Sequence, residues 1–67
     1  MNSSILKAER QKLGFTQKDI AALLHKSVSA YCKREVGIVD CTAEEIKVLK
    51  HTLNLSPKRI DEIFFKD

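Results

Sequence analysis

Apolar residues recur along the chain at intervals of three and four, the spacing that places them on one face of an α-helix. Most of these segments begin beside a Ser or Thr that can cap a helix. No segment alternates apolar and polar residues for long enough to predict a strand. The sequence therefore predicts an all-α fold, a compact bundle of five short helices in a single domain covering residues 1–67. The predicted helices run from Ser3 or Ser4 to Leu13, Thr16 to Leu24, Ser27 to Glu35, Thr42 to Leu53, and from Pro57 onward.

Short-range signals set the boundaries of these helices. Thr16 with Asp19, and Thr42 with Glu45, each match the capping box, in which two residues three apart bond to each other's backbone N–H groups. Gly14 follows the first helix and can adopt the left-handed conformation that ends helices. The Ser-Pro pair at 56–57 can start the last helix, because proline at the first helical position loses no hydrogen bond.

The same spacing predicts which side chains form the core. Arg10 also falls on the inward side of the first helix, which is unusual for a guanidinium group. The loop from Gly37 to Cys41 is expected to tuck its apolar residues against the core. The predicted core residues are Ile5, Leu6, Ala8, Leu13, Phe15, Ile20, Ala21, Leu24, Ile46, Val48, Leu49, Leu53, Ile60, Ile63 and Phe64.

Only His25 and Lys26 separate the second predicted helix from the third. Two helices joined by so short a turn cannot lie side by side, so the later one must turn steeply away. This arrangement is typical of the helix-turn-helix motif, whose second helix fits the major groove of DNA.

The charge distribution agrees with such a partner. The net charge is +3; residues 1–35 carry seven Lys/Arg and three Asp/Glu, whereas residues 36–67 carry five and six. The positive excess therefore belongs to the half that contains the two paired helices, as a phosphate-facing surface requires.

Other classes of function find little support in the sequence. The two cysteines and two histidines, Cys32, Cys41, His25 and His51, lack the short spacings of a zinc site. There is no nucleophile-and-base constellation, phosphate loop, membrane span or signal peptide. We therefore expect a non-enzymatic protein with no metal, cofactor or small-molecule ligand, located in the cytosol with both thiols reduced.

The chain resembles the phage repressor and Cro family of helix-turn-helix proteins, also called lambda-repressor-like domains. The resemblance extends from Leu6 to about Phe65. The most specific part is Thr16-Gln17 followed at fixed intervals by Ala21 and Gly37. The residues that carry it are Leu6, Arg10, Gly14-Phe15-Thr16-Gln17, Ile20-Ala21, Leu24, Ser27, Glu35, Gly37, Leu49, Leu53-Asn54-Leu55-Ser56 and Ile60-Asp61-Glu62-Ile63-Phe64.

The resemblance implies roles for individual residues. Arg10 and Glu35 match a semi-buried ion pair that ties the recognition helix to the first helix, a structural role that we favour over direct DNA contact. Base-reading positions are Val28, Ser29 and Lys33, with Ser27 and Cys32 alongside. Gln17 matches a phosphate contact, although it could also be a solvated first-turn residue. Lys18, Lys26 and Arg34 are expected to add positive charge toward phosphates.

Three departures from the family pattern keep a second interpretation open. His25 stands where the family turn has Gly, Tyr31 and Arg34 replace inward aliphatic residues, and the loop after Gly37 lacks basic residues. Val28, being apolar, could also pack inward instead of contacting a base. The alternative is a helix-turn-helix module that binds a protein, such as an antirepressor or antitoxin-like partner, with weak or no DNA binding.

We therefore expect a sequence-specific, Cro-like transcriptional regulator that binds a double-stranded DNA operator in the cytosol or nucleoid of a bacterial host. Because one recognition helix covers only a few base pairs, a two-fold dimer is expected on DNA. Ile63, Phe64 and Phe65 are the candidate dimer contacts, with the alternative that Ile63 and Phe64 complete the core and leave only Phe65 exposed.

Overall fold

The computed structural model describes residues 2–65. Within that range the chain forms five α-helices and no strand, which confirms the all-α fold class. The helices make a compact body of 27 × 23 × 20 Å. The elements are α1 (Ser3–Lys12), α2 (Gln17–Leu23), α3 (Val28–Glu35), α4 (Ala43–Thr52) and α5 (Pro57–Ile60), which continues as a π-helical segment, Asp61–Phe65.

Four of the five helices begin with a hydroxyl cap. Thr16 and Thr42 form the predicted capping boxes with Asp19 and Glu45. Each threonine hydroxyl accepts from the N–H three residues later, and the acidic side chain accepts from the threonine N–H. Caps of this kind stabilise a helix by about 1 kcal/mol each. The hydroxyls of Ser27 and Ser56 cap α3 and α5 in the same way.

The start of α1 differs from the prediction. Neither Ser3 nor Ser4 caps it: the cap position is Asn2, whose side chain makes no capping bond, and the Ser4 hydroxyl donates to Asn2 Oδ1 at 2.8 Å. The Asn2 N–H instead donates to the carbonyl of Ile63 at 2.9 Å. This end of α1 is therefore held by the last helical segment rather than by its own side chains.

The first four helices all end in the same turn. The second residue past each helix adopts positive φ, and the N–H of the residue after it bonds back to the helix interior, as in the Schellman motif. Glycine supplies this conformation after α1 and α3. His25 (φ 57°) supplies it after α2, and Asn54 (φ 52°) after α4. The sequence thus closes two helices with residues that have a Cβ, in a region where a side chain adds strain.

The core lies where the predicted inward stripes meet. Tyr31 is fully buried among the aliphatic residues of this core. Six further residues are partly buried and pack around the core: Ile5, Phe15, Cys41, Val48, Ile60 and Phe64. Ala8 and Leu13 were expected in the core but are exposed. Ala8 lies on the side of α1 opposite the buried Leu6, and Leu13 lies beyond the last residue of α1. The fully or nearly fully buried aliphatic residues are Leu6, Ile20, Ala21, Leu24, Leu49, Leu53, Leu55 and Ile63.

The loop after α3 also departs from the prediction. Ile38 is 75% exposed rather than tucked inward, and Val36 at the end of α3 is half exposed. Cys41 alone of the loop packs against the core. The loop backbone returns to α3 through Ile38 and Val39, whose N–H groups both donate to the carbonyl of Lys33. This path turns the Ile38 side chain outward.

The π-helical segment after α5 places its apolar residues unequally. Ile63 is fully buried and Phe64 is half-buried against the core, whereas Phe65 is 66% exposed. Ile63 therefore has no surface to offer a second chain, and its proposed part in a dimer is corrected to a core role. No helix in the range 2–65 is long and apolar enough to cross a membrane.

Candidate nucleic-acid interface

Helices α2 and α3 pack more closely than any other pair of the five helices and are joined by a tight turn. The His25 N–H donates to the carbonyl of Ala22 at 3.1 Å, and the Lys26 N–H donates to that of Ala21 at 2.9 Å. The left-handed conformation of His25 reverses the chain, and Ser27 then starts α3. The turn therefore fixes the angle between α2 and α3 through backbone bonds.

Helix α3 has one buried face and one exposed face. Tyr31 and Glu35, one helical turn apart, are buried. Ser29 and Lys33 lie exposed on the other side, and Val28, in the first turn of α3, is 43% exposed. Val28 therefore does not pack inward. These three predicted base-reading residues are all accessible on α3.

Two further predicted base contacts are placed differently. Ser27 is exposed, but its hydroxyl oxygen accepts from the Ala30 N–H at 3.1 Å and caps α3. Its hydroxyl proton is not used by that bond and can still be donated. Cys32 is half-buried. The accessible surface of α3 thus contains Val28, Ser29 and Lys33, with Ser27 at the start of the helix and the half-buried Cys32 beside them.

A buried ion pair joins the end of α3 to α1. Arg10 donates through Nε to Glu35 Oε2 at 2.7 Å and through Nη2 to Glu35 Oε1 at 3.0 Å. Its Nη1 donates to the carbonyl of Phe15 at 2.7 Å, and the side-chain amide of Gln17 donates to Glu35 Oε1 at 3.3 Å. Arg10 is 5% exposed and Glu35 2% exposed. The pair links α1, the start of α2 and the end of α3 in one network.

Each partner holds the other in its charged form. The hydrogen bond from Arg10 to Glu35 raises the pKa of Arg10, against the opposing effect of burial. Burial raises the pKa of Glu35, but the hydrogen bonds from Arg10 and from Gln17 outweigh it and lower that pKa below its ordinary value. A carboxylate that accepts several hydrogen bonds resists protonation in this way.

Tyr31 stands where the family pattern has an inward aliphatic residue. Its whole side chain is buried, and within residues 2–65 the hydroxyl has no partner that meets hydrogen-bond geometry. Burial, followed by the negative charge of Glu35, raises the pKa of Tyr31 well above its ordinary value. Tyr31 therefore stays neutral and supplies the main apolar contact of α3 with the core.

Arg34 lies elsewhere than expected of a phosphate contact. Its Nε is 3.1 Å from each carboxylate oxygen of Glu45 on α4, and its Nη1 donates to the carbonyl of Ala30 at 3.0 Å. The Arg34 side chain is 14% exposed. Its head thus faces α4 and not the exposed face of α3, because the buried carboxylate of Glu45 binds it there.

Glu45 was predicted only as a capping residue. Burial raises the pKa of Glu45, but the Thr42 N–H and the Arg34 side chain outweigh it, so that the pKa lies below its ordinary value. The sequence gives one signal of this second role: a basic residue at an inward position of α3 requires a buried acidic partner.

The predicted phosphate contacts other than Arg34 lie near the start of α2 and in the turn. Lys18 and Lys26 are exposed. Gln17 is half-buried and gives one side-chain N–H to Glu35, which leaves its second N–H free to donate. An open depression of about 750 Å³ lies beside Gln17 and Lys18, and Lys7 of α1 also lines it. Sequence reasoning missed Lys7, although it precedes the inward Arg10 by one turn.

The cysteines and acidic residues of the described range are dispersed. Within residues 2–65 no three His, Cys, Asp or Glu side chains lie close enough together to hold an ion. Cys41 is half-buried, and burial followed by the charge of Glu45 raises its pKa to about 11. A thiol with so high a pKa is mostly protonated at neutral pH and behaves as a small apolar residue.

Comparison with protein families gives one match. A family model described as helix-turn-helix matches residues 6–60, which includes all of α2, the turn and α3. No curated protein and no solved structure matches the chain.

Proposed function

Because the chain belongs to the Cro/repressor-type helix-turn-helix family of DNA-binding regulators, we propose that it is a sequence-specific transcriptional regulator whose helix α3 reads bases in the major groove. The observation that carries this proposal is the exposed face of α3. Val28, Ser29 and Lys33 are accessible on a helix that Tyr31 and Glu35 anchor to the rest of the molecule. A major groove about 12 Å wide admits such a helix.

The exposed side chains have chemistry suited to base edges. The Lys33 ammonium can donate to O6 or N7 of guanine, the Ser29 hydroxyl can donate or accept, and the Val28 methyls can contact the methyl group of thymine. Ser27 and Cys32, beside these residues, would contact the neighbouring base pairs. These five residues therefore form the proposed base-reading set.

Phosphate contacts are proposed for the residues around the start of α2. Lys18 and Lys26 supply positive charge on either side of the helix pair, and Gln17 supplies a side-chain N–H held in place by Glu35. Lys7 lines the same depression as Gln17 and Lys18 and extends the set. Contacts of this kind fix the register of the protein on the duplex but carry no sequence information.

A homodimer on DNA is proposed because a single α3 spans only a few base pairs. Phe65, exposed, and Phe64, half-buried, are the remaining candidate contacts on the last helical segment. Sedimentation at tens of micromolar, with and without operator DNA, tests this state. A monomeric mass on operator DNA would overturn the dimer. A dimer unaffected by Phe65→Ser would remove Phe65 from the interface. The proposed location is the cytosol or nucleoid of a bacterial host.

A protein partner is the second candidate function. The observation that favours it is the loop after α3, where Val36 and Ile38 are exposed and Asp40 stands in place of basic residues. Exposed aliphatic side chains beside a recognition helix suit a protein surface better than a phosphate backbone.

Selection of bound duplexes from a random DNA pool, followed by titration at two salt concentrations, separates the two candidates. A regulator enriches one sequence, with two-fold symmetry if it binds as a dimer, and loses affinity steeply as salt rises. A protein-binding module enriches no sequence, and its pairing with its partner tolerates salt.

A further inference from the structure

Helix α3 buries one apolar side chain and one charged side chain. Of its eight residues, Tyr31 and Glu35 are the buried ones. By comparison, α2 buries two apolar residues, Ile20 and Ala21, in seven residues. The tight turn ties the start of α3 to α2, and Tyr31 packs the middle of α3 against the core. The charged groups at the end of α3 therefore have a large share in setting its orientation.

Two adjacent residues of α3 supply these groups, and they point to different helices. Glu35 binds Arg10 of α1, whereas Arg34 binds Glu45 of α4. The backbones of α3 and α4 are not among the closely packed helix pairs, and the Arg34–Glu45 contact gives these two helices a direct polar link. Arg34 also donates to the Ala30 carbonyl of its own helix, which holds the guanidinium against α3.

Glu45 is itself rigidly held. It is 6% exposed, its Oε1 accepts from the Thr42 N–H at 2.8 Å, and its N–H donates to the Thr42 hydroxyl at 3.1 Å. The cap thus holds the Glu45 carboxylate at the first turn of α4 independently of Arg34. The Glu45 carboxylate on α4 and the Arg34 guanidinium on α3 are both held in place. Their contact therefore sets the distance and the angle between α3 and α4.

We propose that Glu45 is a positioning residue for DNA recognition: through Arg34 it sets the orientation of α3, although neither residue contacts DNA. This inference rests on the proposed DNA-reading role of α3 and adds to it a determinant on α4. It also replaces the phosphate contact expected of Arg34 with an internal one.

The first test is the affinity of Glu45→Gln for operator DNA, measured at a temperature where circular dichroism shows the variant fully folded. The Gln carbonyl can still accept from Thr42, so the cap is kept. We expect binding about tenfold weaker than wild type. Glu44→Gln is the matched control, because it removes the same charge from an exposed neighbour. Equal affinities for the two variants would overturn the proposal.

The second variant, Arg34→Gln, tests the same contact from α3 and leaves the cap of α4 intact. If Arg34 acts through Glu45, the double variant with both Glu45→Gln and Arg34→Gln binds operator DNA no worse than either single variant. The slope of log affinity against log salt then stays at the wild-type value. If Arg34 contacts a phosphate, the losses add and the slope becomes shallower by about 0.9. The second result would overturn the proposal.

Residual dipolar couplings of the amides of Ser29 to Lys33 in the DNA-free protein give an independent reading of the orientation of α3. We expect them to change in Glu45→Gln and not in Glu44→Gln. If the wild-type protein binds no DNA but α3 reorients in Glu45→Gln, the proposed function fails and the role of Glu45 in orienting α3 stands. If DNA binds and α3 keeps its orientation, the positioning role fails alone.

Discussion

Arg10 and Glu35, 25 positions apart in the chain, form a two-pronged contact in which both guanidinium and carboxylate are almost completely buried. Each group makes a further hydrogen bond, Arg10 to the Phe15 carbonyl and Glu35 with the Gln17 amide. A buried pair can tolerate desolvation only when its other donors and acceptors are satisfied in this way. The contact therefore fixes α1 against the end of α3 as a unit.

Removing one member of this pair is expected to destabilise the protein strongly. Glu35→Ala strands a buried guanidinium, which lowers the free energy of unfolding by about 3 kcal/mol or more and the melting temperature by about 12 °C or more. Thermal melts followed by circular dichroism measure this. Glu44→Ala, at an exposed glutamate, serves as control and should melt within about 2 °C of wild type. An equally small shift for Glu35→Ala would mean that the pair contributes nothing.

Lys33→Ala is expected to weaken DNA binding selectively. If Lys33 donates to a guanine, its loss costs about 1–3 kcal/mol of binding free energy and relaxes the preference at one or two base positions. Competition binding with operator variants that differ at single positions measures both effects. Lys58→Ala removes the same charge from an exposed site on α5 and should leave the preference unchanged. A uniform loss on every sequence would assign Lys33 to a phosphate.

His25→Gly is expected to stabilise the protein. His25 adopts φ 57°, where a Cβ is strained and glycine is not, so the substitution should raise the free energy of unfolding by about 0.5–1 kcal/mol. Chemical denaturation measures the change. Asn54→Gly, at φ 52°, should gain less, because asparagine tolerates this region better. A loss of stability in His25→Gly would show that the His25 side chain makes a contribution larger than the strain.

The stability of the protein is expected to fall in acid. The pKa values of Asp19, Glu35 and Glu45 are lower in the folded chain than their ordinary values. The unfolded chain therefore binds more protons below the ordinary pKa of a glutamate, 4.5. The stabilisation is complete above that pH and is lost as the pH falls toward the lowered folded-state pKa values.

Urea unfolding at a series of pH values from neutral to about 3 measures this acid dependence. Glu35→Gln should show a shallower acid decline than wild type, because one of the linked carboxyl groups is absent. Glu44→Gln is the control and should follow the wild-type curve. A wild-type stability that stays level to the lowest pH would contradict the linkage.

Much of the helical framework could be predicted because its signals are local. The caps at Thr16 and Thr42 depend on residues three positions away, and the buried stripe of α2 follows from the helical repeat alone. The inward position of Arg10 was visible in the same way. Its pairing with Glu35 came from the family resemblance, since no short-range pattern links residues so far apart in the sequence.

The remaining features depend on tertiary geometry. Ile38 points outward because the loop backbone bonds back to α3, and hydrophobicity alone predicts the opposite. Arg34 binds Glu45 because α4 brings a buried carboxylate within reach. The inward position of Arg34 indicates an acidic partner, but no local pattern identifies Glu45 as that partner. The π-helical winding of Asp61–Phe65 has no sequence signal that we can identify.

The four matching turns have a consequence for how quickly this chain reaches its native state. Since the residues that end each of these four helices lie within a few positions of it, most of the helical structure can form before distant segments of the chain meet. Small helical domains built in this way fold in microseconds to milliseconds. A molecule that loses its structure in a transient stress would therefore recover it almost as soon as conditions return.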